Sequence, residues 1–181
     1  MKRHAPSLLI GLAIMACSPQ DQRVGNAAHA TFEPEIERSL RIRRDRGQPI
    51  PMATSAIYID SVVAHHTRSE ASTIVWRDDD GHWQWSQVAE TASEGSLEVD
   101  RRLDYALTRQ LSESDAGTLD RLLEARSLFR GDARLSGEPN VGAAFHVMEI
   151  VTPRGRIVYR WTGRLLGEAG MIADLALKRT D

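Results

Sequence analysis

From Ser55 onward, apolar and polar positions alternate at the spacing of β-strands. Ile57, Ile59 and Val63 on one parity are matched by Tyr58, Val62 and Ala64 on the other, which predicts a strand covered on both faces for part of its length. Residues 73–77 and 82–88 flank Asp79, Asp80 and Gly81. An Asp-Gly step between alternating apolar runs predicts a hairpin, because the tight turn needs a positive φ that glycine supplies. With Asp80 and Gly81 as a two-residue loop, Trp76 stands opposite Trp85 and Trp83 shares their face, so three of the four Trp would form one cluster. A three-residue loop would shift that pairing.

Val99, Leu103, Tyr105, Leu107 and Leu111 follow a period of two and predict a further strand, although Leu103, Leu107 and Leu111 alone also fit a helical stripe. A helix follows. Ser112 and Asp115 have the spacing of a capping box, and Ala116, Leu119, Leu122 and Leu123 make one apolar face, with Gly117 costing about 1 kcal/mol relative to Ala. Residues 143–151 and 156–161, joined by Thr152, Pro153, Arg154 and Gly155, predict a second hairpin, and Met171, Ile172 and Leu175 a short closing helix after Gly170. The fold class that results is α+β: an antiparallel sheet of about five strands built from hairpins, packed on one face by two helices and partly wet on the other.

The globular domain is predicted to span residues 54–181, preceded by a tether over 17–53. Ser18 to Ala30 is small and polar without apolar periodicity, which predicts no stable structure. A helix is expected after it: Glu33, Glu35 and Glu37 precede Arg38, Arg41, Arg43, Arg44 and Arg46, an order that suits the helix dipole. Only Ile36 and Leu40 are apolar neighbours there, so the helix is expected to be mostly solvated. Its arginines read as a solvated charged face rather than a lipid contact, since Glu33 to Arg46 sums only to a single positive charge. Gly47, Pro49 and Pro51 stop it.

The first seventeen residues follow different rules. Lys2 and Arg3 precede an apolar run from Leu8 to Ala16, and at ~1.5 Å per residue such a run rises about 14 Å as a helix, too short for a ~30 Å hydrocarbon core. It ends Ile14, Met15, Ala16, Cys17. This tetrapeptide resembles the lipobox of bacterial lipoprotein precursors, with Ile14 as the aliphatic position, Ala16 as the small residue before the cysteine, and Met15 a less usual filler. The resemblance covers residues 1–17 only. It implies a signal peptide over 1–16, cleavage after Ala16, and fatty chains such as palmitate on Cys17. In that family an Asp after the Cys favours inner-membrane retention, so Ser18 implies the outer membrane, facing the periplasm. Cys17 is the only cysteine, so no intramolecular disulfide competes for it, and two or more acyl chains give durable anchoring.

Composition adds mainly exclusions. The chain of 181 residues carries 23 Lys and Arg against 25 Asp and Glu, with Lys only at Lys2 and Lys178; a formal charge of -2 offers no field for nucleic acid. No nucleophile elbow, paired-histidine zinc helix, phosphate loop or C-x-x-C pair is present, and no cofactor, metal site or catalytic residue is expected. His65 and His66 are neighbours in a predicted strand and point to opposite faces. Asp78, Asp79, Asp80 and Gly81 resemble part of a calcium loop but read as a turn, and Arg130-Gly131-Asp132 reads as a helix-ending turn. His146 reads as a hydrogen-bonded interior histidine. The functional reading is a non-enzymatic, membrane-anchored envelope lipoprotein for protein interaction or assembly. The alternative is a module that binds a cell-wall glycan or peptide through Trp76, Trp83 and Trp85 on an exposed sheet face.

Overall fold

A computed structural model describes residues 32–64, 67–93, 100–130, 135–136 and 144–178. The signal peptide, Cys17, the 18–30 stretch, His65, His66, Gly131 and Asp132 lie outside the described residues. The elements in chain order are α1 (Pro34–Asp45), β1 (Ala56–Ala64), β2 (Thr67–Arg77), β3 (Trp83–Ser93), β4 (Asp100–Gln110), α2 (Glu113–Glu124), a 3-10 turn (Leu128–Arg130), β5 (Leu135–Ser136), β6 (Phe145–Thr152), β7 (Gly155–Thr162), β8 (Arg164–Leu165) and α3 (Gly167–Leu177).

The fold is α+β. Six antiparallel strands form one sheet in the order β4-β3-β2-β1-β6-β7, and β5 pairs with β8 as a separate two-stranded ribbon. Hairpins supply most neighbours, while β1 meets β6 across the middle of the chain. Residues 100–110 are a strand, as the period of two predicts. α2 begins as its sequence requires: the Ser112 hydroxyl accepts from the Asp115 amide at 3.1 Å, satisfying a donor that the first helical turn leaves open.

Two cores lie on opposite faces of the sheet. One gathers Ile57, Ile59, Trp85, Met148 and Ile150 beneath Leu119 of α2 and Ile172 of α3. The other places Ala56, Tyr58, Ile74 and Val147 beneath Ile36 and Leu40 of α1. β1 is therefore buried on both faces, from Ala56 to Asp60. The expectation of helices on one face only is corrected, and so is that of a mostly solvated first helix: Ile36, Ser39, Leu40, Ile42 and Arg43 of α1 are all buried. Two of those five residues are polar. The apolar pattern therefore understated the buried face, and α1 belongs to the globular unit rather than to a tether.

The β2–β3 turn differs from the two-residue loop. Gly81 takes φ 85°, and its amide donates to the Asp78 carbonyl at 3.0 Å. The Asp78 amide donates to the His82 carbonyl at 2.9 Å, leaving residues 79–81 as a three-residue loop. The register shifts accordingly: Trp76 pairs with Gln84, and Val75 with Trp85.

Candidate functional site

The register shift separates Trp76 from Trp83 and Trp85. Trp83 and Trp85 point into the α2–α3 core, 3% and 1% exposed. The Trp83 indole donates to Asp120 Oδ1 at 2.9 Å with the Arg77 guanidinium 6.0 Å from its ring, and the Trp85 indole donates to the Ala176 carbonyl at 2.7 Å under Arg109. Trp76 lies on the opposite face against the α1 core. The single Trp-lined face is thus corrected: alternation along β2 and β3 places Trp76 away from the other two, and both of those rings are spent on packing.

At the tip of that hairpin, Asp78, Asp80 and His82 bring candidate ligand atoms within 4.8 Å of one another. The carboxylate of Asp78 is already engaged by the turn: Oδ1 accepts from the His82 amide and Oδ2 from Gln84 Nε2, each at 2.8 Å. The Gln84 and His82 bonds hold the Asp78 carboxyl below the usual range.

His146 of β6 is the cross-strand neighbour of Ser61 on β1, and its Nδ1 lies 2.8 Å from the Ser61 hydroxyl. The imidazole stacks on Trp161 at 4.9 Å, and burial lowers its pKa, favouring the neutral ring. Neutral imidazole against a hydroxyl is the first contact of a nucleophile–base pair. With a hydroxyl on Nδ1 and an indole against its face, the imidazole is hydrogen-bonded and largely buried, as the sequence reading expects.

The densest charge chemistry is a seam between α1 and the sheet. Arg38 reaches two carboxylates at once, through Nη2 to Asp60 Oδ2 and through Nε to Glu70 Oε1 at 2.6 Å. Glu70 also meets Arg68 at 3.3 Å and stands directly across β3 from Glu90, which pairs with Arg46 at 3.4 Å. Asp60 is fully buried, and its Oδ1 has no hydrogen-bond partner. Burial pushes the Asp60 carboxyl up to about 7, with Arg38 opposing and Glu70 adding to the rise. A cleft of about 10 Å³ lined by Arg68, Glu70, Glu90 and Ala92 opens beside the seam, room for about one water.

Arg43, one turn along α1, is fully buried with neutral partners. Its Nε donates to the Ser72 hydroxyl at 2.7 Å, Nη1 to the Ser86 hydroxyl at 3.0 Å, and Nη2 to the Ser72 and Ser86 carbonyls at 2.7 and 2.8 Å. A longer contact joins Nη1 to the Pro49 carbonyl at 3.5 Å. Desolvation brings the Arg43 guanidinium down to about 10, which leaves it charged at neutral pH. Near the start of α1, Glu149 is buried in an ion pair with Arg156 Nε at 2.5 Å; desolvation raises its carboxyl, with Arg156 opposing the rise.

None of these seam residues stands out in the sequence as chemistry. The one available signal is parity: Asp60, Glu70, Ser72, Ser86 and Glu90 all fall on the strand positions that face α1. Together they can hold a helix to a sheet and store a proton near neutrality. No protein-family model, no curated protein and no solved structure matches the chain.

Proposed function

We propose that this chain is a lipid-anchored protein of a bacterial envelope, attached through Cys17 at the outer membrane and facing the periplasm, whose α+β module serves protein contacts or assembly rather than catalysis. The observation that carries the reading is the N-terminal pattern: Lys2 and Arg3, the apolar run from Leu8 to Ala16, and Ile14-Met15-Ala16-Cys17. Among the described residues no helix is long and apolar enough to cross a membrane, so attachment in this reading rests on Cys17.

The placement of α1 supports a presenting role. Its start lies at the β7 side, where Glu33 meets Arg160 at 2.6 Å, and its end lies over β3, where Arg43 and Arg46 bind Ser86 and Glu90. α1 thus begins at the β7 side of the sheet, and β4 forms the opposite edge. That edge strand exposes Leu103 and Leu107, 38% and 48% accessible. Among the described residues no strand pairs with the outer edge of β4, and such an edge with apolar side chains suits contact with another chain. The glycan or peptide alternative needs tryptophan rings in solvent, and burial of Trp83 and Trp85 weighs against it.

Labelling with an alkynyl fatty acid, followed by membrane flotation, tests the anchor. The natural chain should take the label and float, and Cys17→Ala should do neither. A labelled, floating Cys17→Ala protein, or an uncut leader by mass spectrometry, would overturn the reading. A photo-crosslinking residue at Leu107 should give a discrete protein adduct in intact cells; adducts from neither Leu103 nor Leu107 would remove β4 from the proposal.

A further inference from the structure

α1 meets the sheet through buried charge, and Asp60 is the most confined member of the seam. One guanidinium, that of Arg38, serves both Asp60 and Glu70, while Asp60 Oδ1 is left buried without a partner. The groups facing Asp60 come from every side. α1 supplies Arg38, with Arg46 turned to Glu90; β2 supplies Ser72 directly opposite, with Glu70 and Arg68 beyond it; β3 supplies Glu90; and β6 presents the apolar Val147. An ionised carboxylate with an unsatisfied oxygen in such a place is costly, whereas its protonated form is much less so. Lifting α1 would admit water to the oxygen and remove most of the difference.

We propose that α1 is a pH-gated strap, lying closed on the sheet while the Asp60 carboxyl carries a proton and opening more often once that proton is lost. The direction follows from linkage. Burial holds Asp60 at about 7 in the closed form against 3.8 for a free carboxyl, so the closed form binds the proton more tightly. The advantage to closure is complete below 3.8, declines as pH rises, and is gone above about 7. From pH 6 to pH 8 the ratio of open to closed forms therefore rises about tenfold. α1 directly follows the segment proposed as tether, and its twelve residues would add about 18 Å of reach as a released helix. That consequence rests on the Cys17 anchor; the opening does not.

Hydrogen exchange of the purified full chain at pH 6, 7 and 8, expressed as protection factors, tests the strap in the absence of any membrane. Amides of residues 37–45, the first of which donates to the Glu33 carbonyl, should be less protected than those of β1 to β3 at every pH, and should lose about tenfold in protection from pH 6 to 8. Asp60→Asn, a neutral mimic of the protonated side chain, should flatten that profile. A carbon-13 titration of the Asp60 carboxyl in the unaltered chain should show a midpoint near 7. Exchange of α1 in step with β1 to β3 and with equal protection, a flat profile in the natural chain, a tenfold fall retained by Asp60→Asn, or a midpoint near 4 would each overturn the proposal.

Discussion

Arg43 and Asp60 show two ways in which one helix face keeps charge out of water. Arg43 has a fitted set of acceptors: two hydroxyls and two carbonyls at 2.7 to 3.0 Å, with the Pro49 carbonyl further off. Asp60 is short of partners, with one oxygen on Arg38 and the other on nothing. The first arrangement should stabilise the fold and the second should tune it. Truncation at Arg43→Ala removes the donors from two buried serines and leaves a void, so unfolding by urea should show a loss of about 3 kcal/mol or more. A loss under about 1 kcal/mol would mean that water enters and replaces the guanidinium. Neither residue was legible as important beforehand, because an arginine among arginines reads as a solvated face and an aspartate in an apolar strand reads as an interruption of the pattern.

Elements differ in how much local chemistry fixes them. α2 was legible because its signals are local: the Ser112 cap and the Leu119, Leu122, Leu123 face are contained within its own sequence. The β2–β3 hairpin was legible in existence and not in register. Asp-Gly fits both a two-residue primed turn and a three-residue loop closed by a left-handed glycine, and the Asp78 side chain favours the second by holding the His82 amide. α1 was legible as a helix and not as a packed one, since its buried face includes Ser39 and Arg43. α3 starts earlier than its apolar residues suggest, at Gly167, with Gly170 inside it. A Cβ on Gly170 would overlap the carbonyl oxygen of Leu165, a backbone atom with little room to yield. Gly170→Ala should therefore destabilise the protein despite the better helix propensity of Ala, by an amount on the order of 1–3 kcal/mol in thermal or urea unfolding. A stabilised Gly170→Ala protein would show that α3 shifts freely on β8.

At the scale of the whole molecule, the sheet has no spare face along Ala56 to Asp60 of β1. α2 and α3 cover one side with Trp85, Met148 and Ile150 between them and the strands, and α1 covers Tyr58, Ile74 and Val147 on the other. Reading the domain as 54–181 would cut away α1 and its contents. The consequence is more than lost apolar area. Without Arg38 and Arg46, the carboxylates of Asp60, Glu70 and Glu90 lose two cations that pair with them, and like charges stand opposite one another on β2 and β3. Tyr58 and Ile74, now 3% and 0% exposed, would face water together. A piece beginning at Phe32 should unfold cooperatively with the midpoint of the longer chain. A piece beginning at residue 54 should bind a hydrophobic dye and unfold at lower denaturant or without a sharp transition. Transient opening of α1 is compatible with that outcome, because a minor open population exposes the same surface only briefly, whereas deletion exposes it in every molecule. Equal midpoints for the two pieces would show that α1 contributes nothing to the core and would return residues 32–53 to the role of tether.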